Sequence, residues 1–225
     1  MLVRDWMTEN PMTLGLRDTV IEAAEVMRKQ AVRQFPVIDD DGVLTGIVSD
    51  RDIRDAMPSK YLPGDSADQN GGGLAKLTAE DVMTFDPLHV SPTTPMDVVA
   101  DMLARHKIGA LPVVDEDGLL VGIISEVDLC RFLVSATGLR RGGPQFALRL
   151  EAKPGPLAAL LEDLRGQSVR FHSVITSHDL EEAGSRQAYI RIDDLGEFDA
   201  DSLTAYLKER YTLLFSVVDG VTRLP

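Results

Sequence analysis

Two residue pairs in this chain have types and spacing that could do chemistry: Ser49 with Asp52, and Ser125 with Asp128. Each Ser-x-x-Asp follows a short β-type run, Leu44–Val48 or Leu120–Ile124, and opens a helix. A helix N-terminus presents unpaired N–H groups and a partial positive charge, which suits phosphate. The serine hydroxyl adds a donor. One turn on, the aspartate can accept from two ribose hydroxyls, so one motif can read phosphate and sugar together. The same residue types also make an ordinary helix start, with serine as N-cap and aspartate as the first-turn acid. The spacing alone admits both readings.

Other reactive residue types form no such pattern. His89, His106, His172 and His178 lack metal-ligand spacing. Cys130 is the one cysteine, which excludes an internal disulfide and a Cys-clustered zinc site. The acidic turns Asp39–Asp41 and Asp115–Asp117 lack the longer ligand pattern of a calcium loop and read as solvated hairpin tips. No P-loop, Ser/His/Asp set or Cys/His set has supporting local context. The expectation is no catalytic residues, no metal and no cofactor.

Composition narrows the partners. The 225 residues are 44% hydrophobic and 26% charged, as in an ordinary globular chain, and their net charge of −13 should repel DNA, RNA and anionic lipid. The opening MLVRDWMTEN has no apolar signal core, and no stretch reaches the length of a membrane span. A cytoplasmic location is expected.

The elements that must position the two motifs occur twice. When Asp5 is laid on Asp81, the chain matches itself without a gap to Asp55 and Arg131. Between Pro36–Asp52 and Pro112–Asp128, ten of seventeen positions are identical, which marks a tandem duplication. Each copy predicts a helical turn (Val3–Met7, Ala79–Met83) and a brief strand near Met12–Leu14 or Leu88–Val90. A helix capped at Asp18-Thr19 or Thr94-Pro95 follows, with Pro95 at its first position. The hairpins Phe35–Val48 and Leu111–Ile124 then lead into the motif helices. Residues 59–77, with three consecutive glycines, read as a flexible linker. From Gln145 the pattern is new: strand Gln145–Ala152, turn Lys153–Pro156, helix Leu157–Arg165, strands Val169–Ser177 and Arg186–Ile192, helix Ala200–Arg210 and strand Leu213–Val218. That βαββαβ order is the split-βαβ arrangement.

The duplicated unit resembles a cystathionine-β-synthase (CBS) domain pair, through Asp5-Trp6-Met7-Thr8, Asp81-Val82-Met83-Thr84 and the two hairpin–Ser-x-x-Asp runs. The C-terminal module resembles an ACT domain, through its strand, Lys153-Pro154-Gly155-Pro156-Leu157 and helix. This domain order resembles the acetoin-utilisation B-type regulatory proteins. The expected fold class is α/β (α+β): a CBS pair with pseudo-two-fold symmetry plus a ferredoxin-like ACT domain. The expected spans are repeats 1–58 and 78–138 and an ACT-like domain at 144–225.

The resemblance implies two clefts between the repeats, each joining one repeat's Ser-x-x-Asp to an apolar base pocket from the other. Cleft one pairs Ser49, Arg51, Asp52 and Arg33 with Met83, Leu88 and Ile108. Cleft two pairs Ser125, Val127 and Asp128 with Met7, Met12 and Val32, and Gly109 stands where cleft one has Arg33. The methionines fit core or base pocket equally well. The expected ligand is AMP, ADP or ATP. In the ACT-like part, the loop with Pro154, Gly155 and Leu157 would approach an amino acid, or simply make a turn in a dimerising module. The implied protein is a homodimeric regulator of an unidentified enzyme or transporter. A structural dimerisation module and an enzyme with an unrecognised site are the alternatives.

Overall fold

A computed structural model of the chain describes residues 1–56, 76–178 and 183–224. Most of the expected linker, residues 59–75, and part of the Asp179–Ser185 connection lie outside the described residues. The chain forms two compact units, Met1–Cys130 and Arg131–Pro225.

In the first unit the chain runs through a 3-10 turn (Val3–Asp5), β1 (Thr8–Glu9), β2 (Leu14–Gly15), α1 (Val20–Gln30), β3 (Gln34–Ile38), β4 (Leu44–Ser49) and α2 (Asp50–Ala56). The second copy gives α3 (Ala79–Val82), β5 (Thr84–Phe85), α4 (Met96–His106), β6 (Ala110–Val114), β7 (Leu120–Ser125) and α5 (Glu126–Ala136), whose last turns belong to the second unit. The duplication extends to backbone conformation. Ala31 and Lys107 end α1 and α4 at φ 54°, and Asn10 and Asp86 take φ 46° and 45°. The amphipathic spacing on α1 buries Val20, Ala23 and Met27, and α4 buries Met96, Val99 and Leu103. Thr19 caps α1 by accepting from Glu22 N–H at 3.3 Å. Pro95 is the N-cap residue of α4 rather than its first helical residue, because its ψ of 147° is still extended.

The repeats exchange their leading segments. β1, at the start of repeat one, pairs with β7 of repeat two, while β5 pairs with β4 of repeat one. The resulting sheets have the orders β1-β7-β6 and β2-β3-β4-β5. Val3 N–H donates to Thr94 O at 2.9 Å, and Ala79 N–H to Asp18 O at 2.8 Å, so each leader is also tied beside the other repeat's first helix. The two acidic hairpin tips meet as well: Leu44 N–H donates to Gly118 O and Leu120 N–H to Gly42 O.

The second unit contains β8 (Gln145–Glu151), α6 (Pro156–Gly166), β9 (Arg170–His178), β10 (Ser185–Asp194), α7 (Ala200–Arg210), β11 (Thr212–Val218) and β12 (Val221–Arg223). Its antiparallel sheet has the order β12-β11-β8-β10-β9, the ferredoxin-like arrangement, with β12 an addition absent from the sequence pattern. Leu160 and Leu164 of α6 and Leu203 and Leu207 of α7 bury against Phe146, Leu148, Ile190 and Ile192. Buried Arg191 donates to Thr137 O at 3.0 Å, Gly143 O at 3.0 Å and Gln145 Oε1 at 3.2 Å, fixing the segment that enters β8.

Asp163 ties the two helices of this unit together. Its carboxylate accepts from Tyr206 Oη at 2.6 Å and from Tyr211 Oη at 3.0 Å, and the Arg210 guanidinium lies 4.1 Å from the centre of the Tyr206 ring. The bond to Asp163 raises the Tyr206 phenol above the usual value of 10. Burial, then the bond to Asp163, pushes Tyr211 up to about 12. Raised phenol values mean that this contribution to stability is complete below pH 10 and is lost as pH rises through about 12. An alkaline absorbance titration of Asp163→Asn should bring Tyr206 back toward ordinary phenol behaviour and leave Tyr211 partly raised, since its burial remains. An unchanged titration would contradict this linkage.

Candidate functional site

Each motif serine closes a strand and each motif aspartate lies in the first turn of the next helix. Asp52 Oδ2 accepts from Ser49 N–H at 2.7 Å and from Ser49 Oγ–H at 2.6 Å, while Asp52 N–H donates back to Ser49 Oγ at 3.4 Å. The second copy repeats the arrangement: Asp128 Oδ2 accepts from Ser125 N–H at 3.0 Å and Oγ–H at 2.6 Å, and Asp128 N–H donates to Ser125 Oγ at 3.4 Å. This is a reciprocal cap. It corrects one expectation: the serine proton is already given to the aspartate, so the hydroxyl does not act as an extra phosphate donor in this arrangement. The cap also orients the acid. Asp52 engages only Oδ2, and its Oδ1 accepts no hydrogen bond among the described residues.

Arg33 and Arg51 are exposed, and neither side chain makes an ion pair or hydrogen bond among the described residues. Arg33 lies beside the motif because its carbonyl accepts from Asp50 N–H at 2.9 Å. The equivalent bond in repeat two runs from Glu126 N–H to Gly109 O at 3.0 Å.

The expected apolar walls divide. Met83 is buried in the first repeat's core, and Gly46 of β4 lies so close that an added Cβ would stand 2.2 Å from Met83 Sδ. Met7 covers Gly122 of β7 likewise, at 2.6 Å. Both methionines therefore act as packing across the exchanged leaders. Met12 and Leu88, equivalent by duplication, are 46% and 45% exposed. Met12 opens onto a cavity of about 410 Å³ with Leu14, Val26 and Phe35, whose walls come from repeat one and do not include Ser125 or Asp128. The segment after Leu88 joins repeat two, since Val90 bridges to Val113 of β6. Val32 and Ile108 are half-buried just ahead of β3 and β6.

Sequence reasoning missed Gln34. It pairs with Ser49 across β3 and β4, so the two side chains share a sheet face. Its amide reaches the other repeat, where a Cβ on Gly109 would stand 3.4 Å from Gln34 Nε2 and 3.9 Å from Glu126 Oε2. Pairing register was the missing signal. In the second unit, Pro154 and Gly155 are exposed and Leu157 is half-buried, packed against the core. Gly155 has φ +111°, a conformation that favours glycine, with open space where a side chain would be. Helix α6 starts at Pro156, one residue earlier than expected. Among the described residues no group of three or more His, Cys, Asp or Glu side chains could hold a metal ion, and no helix is long and apolar enough to cross a membrane.

A family model described as the CBS domain matches residues 3–59 and again 79–135. The chain belongs to the CBS-domain family. It is 31% identical over 136 residues to a CBS domain-containing protein of Dictyostelium discoideum, covering 59% of this chain and 91% of that one. A homoserine O-acetyltransferase of Methanococcoides burtonii is 37% identical over 131 residues, but there the match spans 58% of this chain and only 24% of the enzyme. Among solved structures, a Vibrio cholerae protein described as an acetoin utilization protein (AcuB) is 30% identical with a TM-score of 0.52, covering 62% of this chain and 95% of that one. The CBSX2 structure in complex with AMP is 30% identical with a TM-score of 0.50, covering 59% and 96%.

The close seating of Met83 on Gly46 makes a direct test of the exchange. Gly46→Val should destabilise the first unit by about 1–3 kcal/mol through overpacking. Adding Met83→Ala should recover part of that loss, as denaturant midpoints would show. Additive losses would contradict the contact.

Proposed function

We propose that this protein is a ligand-sensing regulator whose CBS pair binds adenine nucleotide, AMP, ADP or ATP, in clefts between the repeats. One observation carries the reading: among the described residues Arg33 and Arg51 have no side-chain partner beside a capped Asp52, and its Oδ1 accepts no hydrogen bond there and so could take a ribose hydroxyl. The likeness to CBSX2, solved in complex with AMP, supports it. The phosphate would meet the two guanidiniums, a charge-assisted contact, and the ribose would meet Asp52. Ile108 and Leu88 would line the base side, and Ser125, Asp128, Met12 and Val32 would serve the second cleft.

The C-terminal unit is, in this reading, an ACT-like domain that dimerises the chain or takes a second small metabolite near Pro154, Gly155 and Leu157. The regulated partner is an enzyme or transporter, and the site of action is the cytoplasm. Regulation requires that nucleotide bind two conformations unequally. A second reading, a structural module whose clefts stay empty, is favoured by the reciprocal cap, which by itself accounts for serine and aspartate at these positions.

Calorimetry with AMP, ADP and ATP separates the two readings. Stoichiometric binding, with a raised melting temperature at millimolar nucleotide, supports the sensor; no heat and no shift support the structural module. Asp52→Ala should remove the tighter binding event, costing about 1.5–3 kcal/mol, or roughly tenfold to a hundredfold in Kd. Arg51→Val should weaken ATP more than adenosine. Equal losses from Asp52→Ala and Asp128→Ala would contradict the ranking of the clefts. Sedimentation at micromolar concentration should give a two-fold homodimer, and a mass near the 24.6 kDa of one chain would contradict that.

A further inference from the structure

The cavity of about 410 Å³ beside Met12 combines apolar walls from Met12, Leu14, Val26 and Phe35 with two carboxylates, Asp18 and Glu22, at the start of α1. Each acid uses one oxygen locally. Asp18 Oδ2 accepts from Gly15 N–H at 2.8 Å, and Glu22 Oε2 accepts from Thr19 Oγ1–H at 2.8 Å. Among the described residues neither carboxylate forms an ion pair, and Asp18 Oδ1 and Glu22 Oε1 accept no hydrogen bond. The second copy shows that the fold does not require these charges. Ser91 N–H, equivalent to Gly15 N–H, donates to Thr94 Oγ1 at 3.1 Å, so a neutral residue closes the turn that Asp18 closes in the first copy. Val98 stands at the position of Glu22. Helix α4 keeps a first-turn acid as Asp97, but that position matches Ile21, which does not line the cavity.

We infer that this cavity is a binding site for a small organic cation with an apolar body, an alkyl- or arylammonium, separate from the nucleotide clefts. The ammonium group donates to the open oxygens of Asp18 and Glu22, a charge-assisted contact, while the apolar body lies against Leu14, Val26 and Phe35 and the adaptable side chain of Met12. The volume suits a ligand of that size. A bare metal ion does not fit, because among the described residues no group of three or more ligating side chains is present. A nucleotide phosphate does not fit either: it would meet two carboxylates, and no guanidinium lines the cavity, the neighbouring Arg17 included. Met12 is the one cleft residue named above that the cavity shares. The inference does not depend on adenine-nucleotide binding.

The test is calorimetry of the full chain with phenethylammonium, and with the neutral phenethyl alcohol as control. The wild type should bind one cation per chain, at least about tenfold more tightly than the alcohol. Asp18→Thr combined with Glu22→Val, which copies the second repeat and keeps an acceptor for Gly15 N–H, should weaken the cation at least about tenfold and leave the alcohol unchanged. Glu22→Gln alone, at an exposed position, should give part of that loss, so the site is tested even if the double variant fails to fold. Saturating AMP should leave the affinity for the cation unchanged. No binding of the cation, equal affinity for cation and alcohol, or wild-type affinity in both variants overturns the site. Displacement of the cation by AMP also overturns it, because the cation then occupies a nucleotide cleft. A chain that binds the cation in this way but not AMP overturns nucleotide sensing and leaves the cation site standing.

Discussion

The exchange of leading segments between the repeats is the constraint on which the first unit depends. β1 completes the sheet of repeat two and β5 that of repeat one, so neither repeat contains all the strands of its own sheet. The exchange is possible because β4 and β7 carry glycine where Met83 and Met7 must lie, at approaches that no side chain would allow. It also decides which surfaces face each other. Gln34, on the Ser49 face, comes to Gly109 of the second repeat because the leaders tie the two sheets together.

Within that frame the Ser-x-x-Asp motif has two roles at once. The reciprocal hydrogen bonds satisfy helix-start groups, which is a stability role. In repeat one they also hold the Asp52 carboxylate in one orientation, with no hydrogen bond to its Oδ1 among the described residues, which is what a sugar-reading acid needs. Capping and recognition are therefore not competing explanations of these residues. What differs between the two copies is where the charge around the motif lies: Arg33 and Arg51 of the first are Gly109 and Val127 in the second, while Asp55 becomes Arg131.

The second unit is organised by its own polar contacts. Arg191 holds carbonyls at Thr137 and Gly143, and Asp163 joins α6 to α7 through Tyr206 and Tyr211. In both cases a charged group has several hydrogen-bonded partners, the condition under which partly buried charge is compatible with stability. The open groove of about 520 Å³ beside Leu161, Arg165 and Phe171 belongs to this unit and brings no motif residue with it.

The sequence alone determined the duplication, the family, the order of the main helices and strands, and the two motif pairs, but not the short strands β1, β5 and β12. These are local or periodic properties: identity at a fixed offset, helical and alternating spacing, and cap residues at element starts. Tertiary structure decided the rest. Met7 and Met83 read equally as core or pocket wall until the exchange seated them on Gly122 and Gly46. The serine hydroxyl counted as a phosphate donor until its bond to aspartate was seen. Gln34 drew no notice because its position depends on strand register and on which repeat faces Gly109. Those are long-range pairings, and no spacing along a single strand encodes them.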